Sequence, residues 1–223
     1  MIGVSDLLEL MRKCKTVRKF KPDPIPEEYV ERIVEAARWA SSGANSQPWE
    51  FIIVKNSETK IKIADIFRDS IDTLKSTDLE FPFAPAETLW SRYANAPVII
   101  VTCADPILKD AYPKVSRREY TYYASIGAAQ QHMHLVAQAL GLASCWGTVQ
   151  SVVESKLKEL LGVPPKFEVL DAMCIGYPDE QPVRYRRSLQ EISHKERFDA
   201  SKIRSADNIR NLIKNRKFAD IYS

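Results

Sequence analysis

Residues 124–147 have the sequence ASIGAAQQHMHLVAQALGLASCWG, which predicts a long helix followed at once by a strand. Within the segment 118–140, apolar residues recur at helical spacing on two faces, and such a helix is typical of a buried central position. The first face carries Ile126, Ala129, Met133, Val136 and Leu140, and the second carries Ala124, Ala128, Leu135 and Ala139. Gly141 is placed to end the helix as a C-cap, and the apolar residues after it predict a strand.

Further strands are predicted from short apolar runs on either side of this segment. They cover Trp49–Val54, Ala96–Cys103 and Glu168–Ile175. Helices are predicted at 5–13, after the proline-rich link PDPIPEE, at 57–75, after Ser151 and at 206–217. Ser151 and Glu154 have the spacing of a capping box. Strands thus alternate with helices, which is the pattern of an α/β or α+β layered domain.

The composition excludes several classes of protein. The chain has 223 residues, of which 45% are hydrophobic and 27% charged, as in ordinary globular domains. A net charge of +3 is too small to indicate nucleic-acid binding, and no apolar run is long enough for a membrane span. The N-terminus does not resemble a signal peptide, so we expect a cytoplasmic protein.

Metal and disulfide sites are not indicated by the sequence either. Cys14, Cys103, Cys145 and Cys174 lie far apart without a CxxC pair, so buried thiols are expected. His132 and His134 are two residues apart on the predicted helix and point in different directions, so we predict no metal ligation. The motifs of dinucleotide-binding Rossmann folds, P-loops, α/β-hydrolases and zincins are missing.

Three clusters could carry chemistry. Lys15, Thr16 and Arg18 offer two cations and a hydroxyl that suit a phosphate, although a solvated basic turn explains them as well. A second basic cluster contains Arg184, Arg186 and Arg187. The turn-forming segment 41–49, SSGANSQPW, offers amides and an indole that suit a planar heteroaromatic ligand.

Four segments together resemble the nitroreductase superfamily of FMN-dependent oxidoreductases. They are KTVRKF, SSGANSQPWEF, ASIGAAQQHMHLVAQALGLASCWG and AMCIGYPDEQPVRYRRSLQEI, and the resemblance extends over residues 7–195. It implies an α+β fold with a central, mainly antiparallel sheet flanked by helices. It also implies a homodimer with FMN sites at the subunit interface. We expect an FMN-binding domain over 1–195 and a helical extension over 196–223 that crosses to the partner subunit.

The resemblance implies a set of cofactor-binding residues. The phosphate and ribityl ligands fall on Lys15, Thr16 and Arg18, with Arg186 and Arg187 completing the phosphate site. The ring ligands from the partner chain fall on Ser41, Ser42, Gly43, Asn45 and Gln47, and those beside the flavin on Cys145, Trp146 and Gly147. The sequence departs from the family pattern at Cys14, where an arginine is usual, and at Ser41, where a proline is usual.

The implied function is a ping-pong reaction in which NAD(P)H reduces FMN and a small organic acceptor, such as a nitroaromatic or a quinone, takes the electrons. No side chain is assigned a catalytic role, because the flavin N5 is the reactive centre. We expect residues 81–93 to form a surface excursion in which Phe83, Trp90 and Tyr93 contact the acceptor.

Two alternatives remain. The same fold serves reductive dehalogenases, whose lid would grip an amino acid with Glu, Tyr and Lys; the excursion has Glu80, Glu87 and Tyr93 but no lysine between Leu79 and Val98. A non-catalytic flavin-binding dimer could instead use the basic tail, which carries eight Lys/Arg against four Asp/Glu from His194 onward.

Overall fold

The computed structural model describes residues 3–77, 83–114, 118–183 and 186–215. The chain divides into two compact units, Met1–Glu180 and Gln181–Ser223. The division falls after Glu180, earlier than the boundary predicted after residue 195.

A four-stranded sheet forms the centre of the first unit. Its strands are β1 (Trp49–Val54), β2 (Val98–Ala104), β3 (Ala143–Thr148) and β4 (Glu168–Gly176). They lie in the order β1-β2-β4-β3, and each neighbouring pair is antiparallel. Every residue of β2 is buried, as expected for a central strand with both faces covered. The predicted antiparallel sheet flanked by helices is therefore confirmed.

Helices of the same unit flank this sheet. In the first unit they are α1 (Val4–Lys13), α2 (Glu27–Arg38), α3 (Ser57–Asp69), α4 (Ile71–Thr77), α5 (Ala86–Asn95), α6 (Ile107–Ala111), α7 (Arg118–Ala139) and α8 (Ser151–Leu161). The second unit contains α9 (Leu189–Ile192) and α10 (Ala206–Asn215). The single helix predicted over 57–75 is wrong, because the chain breaks at Ser70. The Ser70 hydroxyl donates to the carbonyl of Ile66 at 2.8 Å, a local bond that competes with the helical pattern.

Two apolar cores cover the two faces of the sheet. One contains Phe67 of α3, Tyr93 of α5 and Leu157 of α8. The other contains Ile33 of α2 and Met133 of α7. Side chains alternate between these cores along β2, since successive strand residues point to opposite faces, whereas a bulge opposite Thr102 and Cys103 interrupts the alternation in β4.

Among the described residues, one apolar face of α7 is mostly covered and the second is partly exposed. Ile126, Ala129 and Met133 are buried, but Ala124 and Ala139 on the second apolar face are exposed. The prediction of burial on both faces is therefore wrong for a single chain, because the sheet covers α7 from one side only.

Helix ends agree in part with the sequence. Gly141 and Gly162 follow α7 and α8 with φ angles of 75° and 67°, in the left-handed region that glycine adopts most easily. The capping box predicted at Ser151 and Glu154 is wrong, because Ser151 is already the first helical residue and Gln150 is the N-cap. The Glu154 carboxylate instead accepts from the backbone N–H of Val169 at 3.1 Å.

The prediction of a surface excursion over residues 81–93 is also wrong for its C-terminal part. Residues 86–93 belong to α5, and Tyr93 is only 1% exposed, with its ring stacked on Phe67 at 4.0 Å between centroids. Trp90 is half-buried and donates its indole N–H to Asp65 at 2.9 Å. Phe83 is half-buried, and residues 81 and 82 lie outside the described residues. An amphipathic helix forms here because its aromatic side chains pack inward against α3.

Candidate functional site

The segment after α1 lies along the outer side of β3. Thr16 forms a parallel bridge with Ser144, and the Val17 N–H donates to the Ser144 carbonyl at 3.1 Å. Cys14 and Val17 are buried and anchor the segment, while Lys15 and Thr16 are half-buried. Two of the residues predicted for the phosphate thus lie beside the first residues of β3.

Arg18 is held in the same extended segment. Its backbone N–H donates to the Glu180 carboxylate, and its side chain is half-buried. The chain then continues along the residues after β4, with Lys21 N–H bonded to the Tyr177 carbonyl at 2.9 Å. These backbone bonds fix where the side chains of Lys15 and Arg18 begin, so two cations are presented close to one strand.

The predicted ring-binding loop is a strained turn tethered to α7. Ala44, Asn45 and Gln47 have φ angles of 51°, 52° and 46°, a left-handed conformation that costs non-glycine residues about 1 kcal/mol each. Backbone strain of this kind persists where surrounding contacts enforce it and often marks functional sites. The Gly43 N–H donates to the Ser125 hydroxyl of α7 at 3.1 Å, and the Gln47 N–H donates to the Ser42 hydroxyl at 3.0 Å.

Polar side chains of this loop face solvent. Ser41, Asn45 and Gln47 are exposed, whereas Ser42 and Gly43 are half-buried. The Gln47 side-chain amide makes one long hydrogen bond, 3.3 Å to the Asn45 carbonyl. One N–H of the Gln47 amide is thus engaged, whereas its other N–H and the exposed Asn45 amide can reach a ligand or a partner chain.

The middle of β3 is fixed from both faces. Cys145 is buried in the core with α3, α5 and α8, so only its backbone can reach a ligand. Trp146 points to the other face, where its ring lies 3.8 Å from the position that a Gly127 Cβ would occupy. A Cβ on Gly147 would come within 2.3 Å of the Tyr93 hydroxyl and 3.0 Å of the Ala172 carbonyl, so this position requires glycine.

Asp171 and Gln130 are polar residues of this site that the sequence analysis missed. Asp171 is 5% exposed, and its two carboxylate oxygens accept from the Gln130 amide and the Trp146 indole. Burial raises the pKa of Asp171, and the two hydrogen bonds lower it in part. A signal did exist, because an aspartate interrupts the apolar run of β4, EVLDAMCIG.

Helix α7 connects the parts of the site. Ser125 holds the 41–47 loop, Gly127 packs against Trp146, and the His134 ring bonds the Ser144 hydroxyl beside Thr16. At 1.5 Å per residue, Ser125 and His134 are about 14 Å apart along the helix axis. The structure therefore brings Lys15–Arg18 together with Cys145–Gly147, and places the 41–47 loop near the other end of α7.

The C-terminal arginines belong to the second unit. Arg186 is exposed, and the half-buried Arg187 donates to the Glu191 carbonyl. Arg184 lies outside the described residues. A capping box between Ser188 and Glu191 begins α9 next to them.

The two helix histidines have structural partners. His132 Nδ1 lies 3.1 Å from the Ala36 carbonyl, and His134 bonds Ser144 as described above. Within the described ranges, no group of three or more His, Cys, Asp or Glu side chains could hold a metal ion. The helices in those ranges are all too short or too polar to cross a membrane.

Comparisons with known proteins agree with this architecture. A protein of Archaeoglobus fulgidus, provisionally assigned as an NADH dehydrogenase/NAD(P)H nitroreductase, is 29% identical over 181 residues, which cover 80% of this chain and 88% of its own. Iodotyrosine deiodinase of Hydra vulgaris is 26% identical over 84% of this chain and 72% of its own. The solved structure of NADPH:FMN oxidoreductase from Vibrio harveyi, complexed with NAD+, has a TM-score of 0.70 at 22% identity, covering 92% of this chain and 82% of its own. The model of the Nitroreductase family matches residues 11–177, and the chain therefore belongs to that family.

Proposed function

We propose that the protein is an FMN-dependent oxidoreductase that transfers electrons from NAD(P)H to a small organic acceptor such as a nitroaromatic or a quinone. The observation that carries this proposal is the placement of Lys15 and Thr16 beside Ser144, directly before the β3 segment Cys145–Gly147. The names of the Archaeoglobus and Vibrio relatives support the choice of cofactor and electron donor.

The side chains at this edge of the sheet fit the phosphate end of FMN. Lys15 and Arg18 supply positive charge and Thr16 supplies a hydroxyl, which together suit a doubly charged phosphate. Arg186 and Arg187 are further proposed phosphate ligands, on the resemblance alone. Bound FMN would supply the two-electron chemistry, so the protein itself needs only to bind, orient and polarise it.

The ring end is proposed to meet amide donors and strand backbone. Asn45 and Gln47 carry exposed amides suited to the ring carbonyls, with Ser41, Ser42 and Gly43 beside them. The backbone of Cys145, Trp146 and Gly147 is proposed to lie against the ring, with an N–H directed at its reactive edge. Fixed donors of this kind stabilise negative charge that develops during reduction.

A homodimer in the cytoplasm is part of the proposal. Ala124 and Ala139 leave an apolar face of α7 exposed, which a second copy would cover. The separation along α7 between Ser125 and His134 suits a loop that serves the partner's cofactor. Exposed apolar residues of the second unit, Leu189, Phe198 and Ile203, support an extension that crosses to the partner subunit.

The protein as purified provides the first test. It is expected to be yellow, to be bleached anaerobically by NADH or NADPH, and to recover its colour when a nitroaromatic or quinone is added. Arg18→Ala is expected to weaken FMN binding about tenfold or more, the size of a lost charge-assisted hydrogen bond. Lys21→Ala, an exposed cation three residues later, serves as the matched control.

Two outcomes would contradict the proposal. A colourless protein that cannot be reconstituted with FMN would refute flavin binding. A yellow protein that neither NADH nor NADPH bleaches would favour the non-catalytic flavin-binding dimer.

Reductive dehalogenation is a second candidate, favoured by the Hydra vulgaris relative. Of the residues expected to grip an amino acid, Tyr93 is buried in the core, Glu87 is exposed on α5, and Glu80 lies outside the described residues. Halogenated phenols and halotyrosines tested as acceptors of the reduced enzyme distinguish the candidates, because only a dehalogenase releases halide. The predicted acceptor contacts of Phe83 and Trp90 are tested alongside, since alanine at either should change acceptor preference while FMN occupancy stays intact.

A further inference from the structure

A buried carboxyl group lies between α7 and the sheet. Asp171 is on β4, opposite Thr148 of β3 and Thr102 of β2 in the strand register. Its two oxygens accept hydrogen bonds from Gln130 of α7 and from the indole of Trp146 on β3. One side chain therefore joins a helix and two strands.

The Trp146 indole is held on several sides by this arrangement. Its six-membered ring packs against Gly127 of α7. Gln130, whose amide binds the same carboxyl group, lies three residues after Gly127 and therefore on the same helical face. On the opposite face of β3, the Tyr93 hydroxyl packs against Gly147. The backbone between Cys145 and Gly147 is thus fixed from both faces of the sheet.

The presence of a carboxyl group here is not explained by packing. Among the described residues, Asp171 forms no ion pair within 4.0 Å, and the buried Gln130 Oε1 has no hydrogen-bond partner. Burying a carboxyl group without a cation is costly, and an apolar residue of similar size would fill the space at lower cost. What the carboxyl group adds is two fixed hydrogen bonds, one of which orients Trp146.

We propose that Asp171 is a positioning residue: by holding the Trp146 indole against α7, it fixes the orientation in which the Cys145–Gly147 backbone meets the FMN ring. This inference rests on the proposed function, and it assigns a role to Asp171, which neither the resemblance nor the family match singles out. Asp171 acts through Trp146 and does not itself touch the cofactor.

Four variants of the FMN-bound protein test this role. Asp171→Leu removes the acceptor at similar size, and Trp146→Phe removes the donor while keeping an aromatic ring. Asp171→Asn keeps an acceptor for the indole, because the Gln130 amide can rotate to accept from the new NH2 group. Thr102→Val, in the same buried layer, is the matched control, since it removes a buried hydroxyl that has no hydrogen-bond partner in the described structure.

Three properties are measured for each variant. The visible circular dichroism of bound FMN reports the surroundings of the ring. The other two are the FMN dissociation constant and the urea unfolding of the apoprotein. Asp171→Leu and Trp146→Phe are each expected to weaken FMN binding about tenfold, the effect of one buried charge-assisted hydrogen bond, and to change the dichroism alike. The double variant should lose no more than either single one, because the two changes break the same bond. Asp171→Asn and Thr102→Val should retain the wild-type dichroism.

Several results would overturn the inference. Wild-type dichroism and affinity in Asp171→Leu would do so, as would additive losses in the double variant. If Asp171→Leu does not fold, an unchanged dichroism in Trp146→Phe decides against the inference. Failure of the wild-type protein to bind FMN would overturn the proposed function and this inference together, whereas the preceding results leave the proposed function intact.

Discussion

Asp171 is a single residue whose protonation changes the stability of the fold. Burial raises its folded-state pKa above the unfolded value of about 4. The unfolded chain therefore loses the proton first as the pH rises, and the free energy of unfolding falls until the pH passes the folded-state pKa. Each unit by which the pKa is raised corresponds to about 1.4 kcal/mol.

Asp171→Asn should remove this pH dependence. We expect the stability of the variant relative to wild type to be lowest at acid pH and to increase as the pH rises through the folded-state pKa. Urea unfolding of both apoproteins between about pH 4 and 8 measures the difference. A difference that does not vary with pH would contradict the prediction.

Gly147 provides a second test at the scale of one residue. A Cβ at this position meets the Tyr93 hydroxyl and the Ala172 carbonyl, so Gly147→Ala should destabilise the protein by about 1–3 kcal/mol, as overpacking does. Urea unfolding should show that Tyr93→Phe, which removes the nearer clash, reduces this cost.

Gly127→Ala is the control for that change. Its Cβ would lie 3.8 Å from the nearest atom, and alanine favours a helix by up to about 1 kcal/mol over glycine, so no loss is expected. If Gly147→Ala lowers the free energy of unfolding equally in the wild-type and Tyr93→Phe backgrounds, the clash is not with the Tyr93 hydroxyl.

The sequence predicts which residues gather in a site only where those residues are close together in the chain. Lys15, Thr16 and Arg18 stand together in the chain, so their cluster is visible without a structure. Asp171 and Gln130 are 41 residues apart and meet only through the packing of β4 on α7. Tyr93 was expected at a surface, because nothing in its neighbourhood reveals that its ring stacks on Phe67.

At the scale of single elements, strands were predicted closely. The run Trp49–Val54 matches β1 at both ends, because proline precedes it and a polar turn follows it. The break at Ser70 was not predicted, since both flanking segments favour helix and one hydroxyl decides where α3 ends. The exposed face of α7 was not predicted either, because periodicity gives two apolar faces but not what covers each.

Helix α8 begins without a side-chain cap, so a capping residue at its N-terminus should stabilise the protein. Gln150 has the extended N-cap conformation, with φ −83° and ψ 155°, but makes no capping hydrogen bond. Gln150→Ser should therefore raise the free energy of unfolding by about 1 kcal/mol in urea titrations. Ser151→Ala should change it by less than about 0.5 kcal/mol, because Ser151 is the first helical residue and not the cap. If Ser151→Ala instead lowers the free energy of unfolding by about 1 kcal/mol, Ser151 caps the helix as the sequence predicts.

At the scale of the whole molecule, helix α1 has an apolar side with no buried residue. Val4, Leu7, Leu8 and Met11 are all exposed in the single chain. If a second copy covers this side, Leu8→Asp places a charge in an apolar interface and should convert the dimer to a 25.4 kDa monomer in sedimentation. Loss of FMN should accompany it, since each proposed site uses both chains.

Ile61→Asp is the matched control for that variant. Ile61 of α3 is 43% exposed, close to the 44% of Leu8, and lies outside the apolar sides of α1 and α7. The Ile61→Asp variant should therefore remain dimeric. A wild-type monomer that keeps FMN would contradict a shared site.

The order of the strands has a consequence for how the protein is made on the ribosome. Strand β2 is buried throughout, yet its neighbour β4 emerges about 60 residues later, which takes roughly 3 to 12 s at 5–20 residues per second. During that interval a strand that is buried throughout in the finished fold has one unpaired edge, and helix α7, which covers it, is complete only about half-way through. Such a segment is prone to aggregate, so chaperone supply and growth temperature, more than the stability of the finished fold, should set the yield of soluble protein.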